Sequence, residues 1–200
     1  MLFDLDGTLI QFSASYADFM KRMAAGWGID DGSDPFFEHY ATAIRAEGVV
    51  TFRSSIEMAL TATGRAIPDD FHLRCHAAVE DYASGIEVLP HALKLLELHK
   101  DVPKAIVSNG PSDMQRAAIA KTKLAPYFDQ ILISGDADVA VRKPNPEIFL
   151  QACKRLGISP DRVLMIGDNV EADIEGATSA GLTALHVSQI ETKAFFEGQI

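Results

Sequence analysis

From Leu89 onward the chain alternates short apolar runs with helix-patterned segments, and this alternation restricts the possible folds more than any other feature. Lys104-Ala105-Ile106-Val107, Gln130-Ile131-Leu132-Ile133, Val163-Leu164-Met165-Ile166 and Thr183 to Val187 read as strands buried on both faces. Between and before them lie helical segments. Pro90 to His99 has proline in its first turn, and Ser112 and Gln115 have capping-box spacing for a helix through Lys121. Asn145-Pro146 opens a helix whose Ile148, Phe149, Ala152 and Leu156 share one face, and another runs from about Glu171 to Gly181. Repeated strand–helix alternation implies an α/β, Rossmann-like three-layer core, its parallel sheet covered by helices on both faces.

Residues 11 to 88 differ in style and read as helical throughout. Tyr16, Phe19, Met20, Met23 and Trp27 share one face, and Phe71, Cys75, Ala78, Val79 and Tyr82 repeat that stripe. Weaker patterns, Phe36 to Ala46 and Ser55 to Thr63, lie between them. The expected organisation is a discontinuous core of residues 1–10 and 89–200, with a small helical bundle, 11–88, inserted after the first strand.

At 200 residues, with 48% hydrophobic and 23% charged, the chain has the composition of a soluble globular protein. A net charge of −10 argues against a general nucleic-acid or anionic-membrane surface, so an anionic ligand has to be captured by local groups. No apolar run approaches the roughly 20 residues of a membrane-spanning helix. Cys75 and Cys153 lie far apart with no paired spacing, as expected in a reducing compartment, and the expected location is cytoplasmic.

Chemistry-bearing residues stand just after the strands. Met1-Leu2-Phe3 leads into Asp4 and Asp6, and later strands lead into Ser108-Asn109-Gly110, Arg142-Lys143-Pro144 and Asp168, with Asp173 beyond. Ligands of open parallel sheets sit beyond the carboxyl ends of the strands, so these groups are expected to converge around Lys143. Two carboxylates about 4 Å apart repel by roughly 4 kcal/mol at an effective dielectric near 20. Such a cluster calls for a cation, and oxygen-only ligands select a hard one such as Mg²⁺.

In order, Asp4-Leu5-Asp6-Gly7-Thr8-Leu9, Ser108-Asn109-Gly110, Arg142-Lys143-Pro144-Asn145-Pro146 and Gly167-Asp168-Asn169 through Asp173 resemble the four motifs of haloacid dehalogenase superfamily phosphatases. The helical insertion is similar to the cap of the first subfamily, which includes phosphoglycolate phosphatases, nucleotidases, sugar phosphatases and β-phosphoglucomutases. The resemblance implies a Mg²⁺-dependent phosphatase of a small phosphorylated metabolite, monomeric or homodimeric. It implies Asp4 as nucleophile, Asp6 as general acid and then base, and Mg²⁺ held by Asp4, the Asp6 carbonyl and Asp168. It implies Lys143 as the fixed positive partner and Ser108, with the Asn109 and Gly110 backbone N–H groups, as phosphoryl ligands. Thr8 joins the expected substrate contacts, and Asp173 is expected to orient Lys143 or a metal-bound water. A phosphomutase shares all these motifs. A 2-haloacid dehalogenase usually has tyrosine at the position of Asp6, and a non-catalytic binding protein would be favoured by loss of Asp4, Lys143 or Asp168, all present here.

The remaining candidates have plainer readings. His72 and His76 flank Cys75 at helical spacing, yet no fourth ligand is near in sequence, so they read as a helix-flank pair beside a buried thiol. Cys153 follows the core face of its helix. Arg53, at the start of an expected helix, is the favoured substrate contact from the insertion, ahead of Arg45. Members of the family usually have several apolar residues before the first motif; here three precede Asp4, so the first strand is expected to be short, about 10 Å.

Overall fold

The computed structural model describes residues 1–13, 15–29 and 32–190; the part of the expected core at 191–200 lies outside the described residues. The chain begins in strand β1 (Leu2–Phe3) and, after a turn carrying Asp4 and Asp6, makes β2 (Ile10–Phe12). Four helices follow: α1 (Tyr16–Ala25), α2 (Pro35–Ala43), α3 (Phe52–Ala62) and α4 (Phe71–Ser84). Strand β3 (Ile86–Val88) then returns antiparallel to β2, pairing Ile10 with Val88 and Phe12 with Ile86. The expectation of helix throughout 11–88 is therefore corrected at both borders, where three-residue strands zip the chain together.

Beyond β3 the alternation is as expected: α5 (Pro90–Leu98), β4 (Ala105–Ser108), α6 (Ser112–Thr122), β5 (Gln130–Ile133) and α7 (Pro146–Leu156). There follow β6 (Leu164–Gly167), α8 (Gly176–Ser179) and β7 (Thr183–His186). Five strands form one parallel sheet in the order β5-β4-β1-β6-β7. Although only two residues long, β1 is central, with Leu2 and Phe3 fully buried between Ala105-Ile106 and Met165-Ile166.

Strand alternation sends side chains to two cores. Leu2, Val107, Leu132 and Met165 pack with Phe149 and Ala152 of α7 and Ala177 of α8. Phe3, Ile106, Ile133 and Ile166 face Leu95 and Leu96 of α5 and Ala118 and Ile119 of α6, and this second core continues into Phe19, Phe52 and Ile56 of the helical segment. No helix among the described residues is long and apolar enough to cross a membrane.

Local signals set the helix starts. Thr51 and Ser54 form a capping box, so α3 begins at Phe52, ahead of the expected Ser55. The expected box at Ser112 and Gln115 does not form: Pro111 occupies the N-cap, and the Ser112 hydroxyl donates to Asp136 Oδ1 at 2.5 Å. Gln115 is released for another use.

Candidate active site

The turn after β1 is built around Leu5, whose carbonyl accepts from the Leu9 and Ile10 N–H groups at 2.9 and 3.0 Å. Asp4 itself still belongs to the sheet, its N–H donating to Ile166 O at 2.9 Å. Gly7 has φ +75°, and a Cβ there would strike the Asp168 carboxylate. Glycine thus serves both the left-handed turn and the approach of two motifs distant in sequence.

Lys143 is the centre of the cluster. Asn109 clamps its backbone from both sides, donating to Lys143 O at 2.8 Å and accepting from Lys143 N at 2.9 Å. Its Nζ lies 2.6 Å from Asp4 Oδ1 and 2.6 Å from Asp173 Oδ1, with all three residues buried. Asp173 comes from a π-helical turn, Val170–Glu175, and accepts from Asn169 N at 3.0 Å. It packs so close to Gly167 that a Cβ there would collide with it.

Burial pushes Asp4 up to about 7 against the pull of Lys143, with Asp173 adding to the rise. Burial works against the charge of Lys143, yet Asp4 and Asp173 more than offset it, and its pKa is raised. Asp6 reaches the open pocket with its tip but is surrounded by protein, which raises its pKa, while a hydrogen bond from Gln115 acts the other way.

Oxygen ligands of Asp4, Asp168 and Asp173 lie within 4.8 Å of one another. That is near the ~4 Å separating opposite ligands of a hexacoordinate Mg²⁺, and the donor set is entirely hard oxygen. The residues present fit such an ion.

Gln115 is the member that sequence reasoning missed, because its spacing from Ser112 imitated a cap. Its Nε2 lies 2.5 Å from Asp6 Oδ2, 3.1 Å from Ser108 Oγ and 3.2 Å from Asn109 O. Its Oε1 accepts from the Tyr82 hydroxyl of α4 at 3.4 Å.

Two cavities share Asp6 and Asn109 in their walls. The smaller, about 170 Å³, also holds Asp4, Lys143, Asp168 and Asp173. The larger, about 360 Å³, extends between the sheet and the helical segment and is lined by Tyr16, Tyr40, Tyr82, Arg45 and Arg142.

Asp4, Asp6, Asn109, Lys143, Asp168 and Asp173 therefore come together, with Ser108 buried beside them against Gln115. Three expected contacts are placed differently. The Gly110 N–H donates to Ser134 Oγ at 3.0 Å, and the space its missing side chain leaves is used by Gln115, 2.9 Å from a Cβ position there. Thr8 is 1% exposed, with its hydroxyl unpartnered among the described residues, and does not line either cavity. Arg53 stands in a separate pocket of about 190 Å³ with His72, Cys75 and Asp113. The reason is helical geometry: Phe52 turns into the core, and the next side chain points about 100° away.

A family model described as haloacid dehalogenase-like hydrolase matches residues 1–181. N-acylneuraminate-9-phosphatase of Mus musculus is 40% identical over 90 residues, 45% of this chain and 36% of the relative, so the match spans about a third of that relative's length. The structure of a HAD phosphatase from Thermococcus onnurineus superposes with a TM-score of 0.68 at 26% identity, covering 92% of this chain and 83% of that one. The HAD-hydrolase YfnB of Bacillus subtilis, bound to magnesium, gives 0.66 at 26% identity, with 92% and 85% covered.

Proposed function

This chain belongs to the haloacid dehalogenase-like hydrolases, and from that premise we propose that it hydrolyses a small phosphate monoester through a phosphoryl group carried transiently on Asp4. The observation that carries the reading is the buried Lys143 ammonium fixed 2.6 Å from both Asp4 and Asp173. It partly neutralises the nucleophile where an anionic phosphate has to approach.

In the first step an Asp4 oxygen bonds to phosphorus and the ester P–O bond breaks, the leaving alkoxide taking a proton from Asp6. In the second, Asp6 accepts a proton from water as the water oxygen bonds to phosphorus and the Asp4–phosphoryl bond breaks. The raised pKa of Asp6 suits a group that has to hold a proton and then take one back. Gln115 keeps the Asp6 carboxylate aimed into the cavity. Ser108 contributes a hydroxyl, and Asn109 holds the Lys143 loop.

Asp4, the Asp6 backbone carbonyl and Asp168 would hold Mg²⁺, in keeping with the magnesium of the Bacillus relative. When bound, the ion offsets phosphate charge against the surrounding carboxylates. Residues 11–88 then act as a cap over the site and choose the alcohol part of the substrate. The two unpaired, buried thiols, Cys75 and Cys153, accord with a cytoplasmic setting.

The test is phosphate release over a panel of sugar phosphates, nucleoside monophosphates, phosphoglycolate and p-nitrophenyl phosphate, with Mg²⁺ or excess EDTA. Release that requires Mg²⁺ is expected. Absence of release from every member, or full activity in EDTA, would overturn the reading.

A further inference from the structure

The larger cavity holds two cations that the proposed reaction at Asp4 does not use. Arg45, in the loop after α2, and Arg142, just before Lys143, both line the chamber that opens from Asp6. Among the described residues neither guanidinium has an ion-pair partner. Arg22, Arg65, Arg74, Arg116 and Arg155 are paired with Asp81, Asp34, Asp70, Asp136 and Asp138, and the other arginines without an ion pair among the described residues, Arg53 and Arg162, do not line this cavity. In a chain with net charge −10, two unpaired arginines brought to one cavity need an explanation.

Arg142 is fixed in place. It is half-buried, and its Nη1 donates to Ile44 O at 3.1 Å, tying the Lys143 loop to the end of α2. Burial lowers its pKa and so does Arg45, with Glu47 pulling the other way from beyond ion-pair distance. The two guanidiniums are thus close enough to repel, a cost that an anion between them would relieve. Tyr16 lies within electrostatic reach of both Asp6 and Arg45: burial raises its pKa, Asp6 raises it further, and Arg45 lowers it. Phe12, Tyr16, Tyr40, Ile44 and Met114 share the wall of this cavity with Asp6 and the two arginines.

Resting on the phosphatase reading of the site, we propose that Arg45 and Arg142 bind a second anionic group, a carboxylate or phosphate, on the alcohol part of the substrate. The carbon stem between the two anions lies along the aromatic wall. The fork of an arginine matches the paired oxygens of either anion, and two of them with no carboxylate competitor make a receptor. A neutral alcohol would leave both charges unanswered. The cavity therefore selects doubly anionic monoesters over esters of plain alcohols.

The test uses non-hydrolysable phosphonates, so that binding is read without turnover. Calorimetry with Mg²⁺ compares alkylphosphonates of increasing length with ω-carboxyalkyl and ω-phosphonoalkyl phosphonates of matching length. At the length that spans the chamber, the doubly anionic ligands are expected to bind at least about tenfold tighter, the worth of a charge-assisted hydrogen bond. Whichever anion shows the gain identifies the second group. Arg45→Gln, at an exposed position, and Arg142→Gln should each reduce that advantage, with the plain alkylphosphonates changing less than about threefold. If Arg142→Gln does not fold, Arg45→Gln decides alone. Equal affinities at every length, no binding of any member, or an advantage that survives Arg45→Gln overturns the inference. Turnover of p-nitrophenyl phosphate judges the phosphatase reading separately: the anion preference with no turnover would overturn that reading and leave the subsite standing.

Discussion

The Gln115 side chain joins a tyrosine of the helical segment to the aspartate two residues after the proposed nucleophile: Nε2 lies 2.5 Å from Asp6 Oδ2, and Oε1 accepts from Tyr82 at 3.4 Å. The Asp6 carboxylate and the Asn109 carbonyl can only accept, which turns the amide N–H₂ toward them and leaves Oε1 for the Tyr82 hydroxyl. A donor aimed at a carboxylate favours its ionised form, which counteracts the effect of burial on Asp6.

Replacing Gln115 with leucine should therefore weaken proton transfer and leave the nucleophile intact. Loss of a hydrogen bond to a charged group predicts a fall in kcat of roughly 10- to 100-fold with alkyl phosphates. The fall should be clearly smaller for p-nitrophenyl phosphate, whose leaving group needs no proton, if its first step limits turnover. Steady-state kinetics on both substrates check this, and equal losses would make Gln115 merely structural.

Asp4→Asn should abolish turnover of every substrate, since an amide cannot accept the phosphoryl group. Asp6→Asn differs. With p-nitrophenyl phosphate and Mg²⁺ it should give a burst of nitrophenol up to one per site, then slow turnover with phosphate retained on Asp4. Rapid quench and mass spectrometry locate the phosphoryl group; finding it on another residue would reverse the assignment.

Gly7→Ala should resemble a partial loss of Asp168. The new methyl strikes that carboxylate, and the left-handed backbone adds about 1–2 kcal/mol of strain. Asp168→Ala should mimic chelation, whereas Gly7→Ala should raise the Mg²⁺ needed for half-maximal activity by roughly 10- to 100-fold. A Mg²⁺ titration distinguishes the two, and an unchanged midpoint for Gly7→Ala argues against the packing role.

Burial pushes the Cys75 thiol up to about 11, so it stays protonated in the folded protein at ordinary pH. Folding therefore favours the neutral thiol: that contribution to stability is full below the unfolded pKa of about 8.5 and is lost as pH rises through the folded value. Alkylation at pH 8 should be slow for folded protein and fast after denaturation, as followed by intact mass. Rapid native alkylation of Cys75 would contradict its burial.

Much of the core was legible because its signals are local. Ala105 to Ser108 and Leu164 to Gly167 are apolar runs closed by small residues, and Asn145-Pro146 starts α7 as expected. The paired strands Ile10–Phe12 and Ile86–Val88 were hidden, since three residues carry no usable period and their partner is far away in the chain. Gln115 was misread because Ser112 and Gln115 have the spacing of a cap, while the turn at Pro111 and the pull of Asp136 on Ser112 are tertiary facts. The start of α3 three residues early was also hidden, and it sets Arg53 in a pocket separate from the two cavities that Asp6 lines. Asp4, Lys143 and Asp173 were legible as a group because each follows a strand of one sheet, and the rule for where such ends meet is general.

The central position of β1 also sets the order in which the protein can assemble. Asp4 is anchored by the Ile166 carbonyl, and Phe3 is flanked by Ile106 and Ile166, so neither side of this two-residue strand exists until distant segments have emerged from the ribosome. Asp4 is made before either of the strands that flank β1 and is set in place only after both. High sequence separation of this kind slows folding. A nascent chain halted after α7 would carry three of the four motifs with no partner for one edge of β1. Activity is thereby linked to completion of the sheet, and a partly made chain has no scaffold on which to hold Asp4 against Lys143.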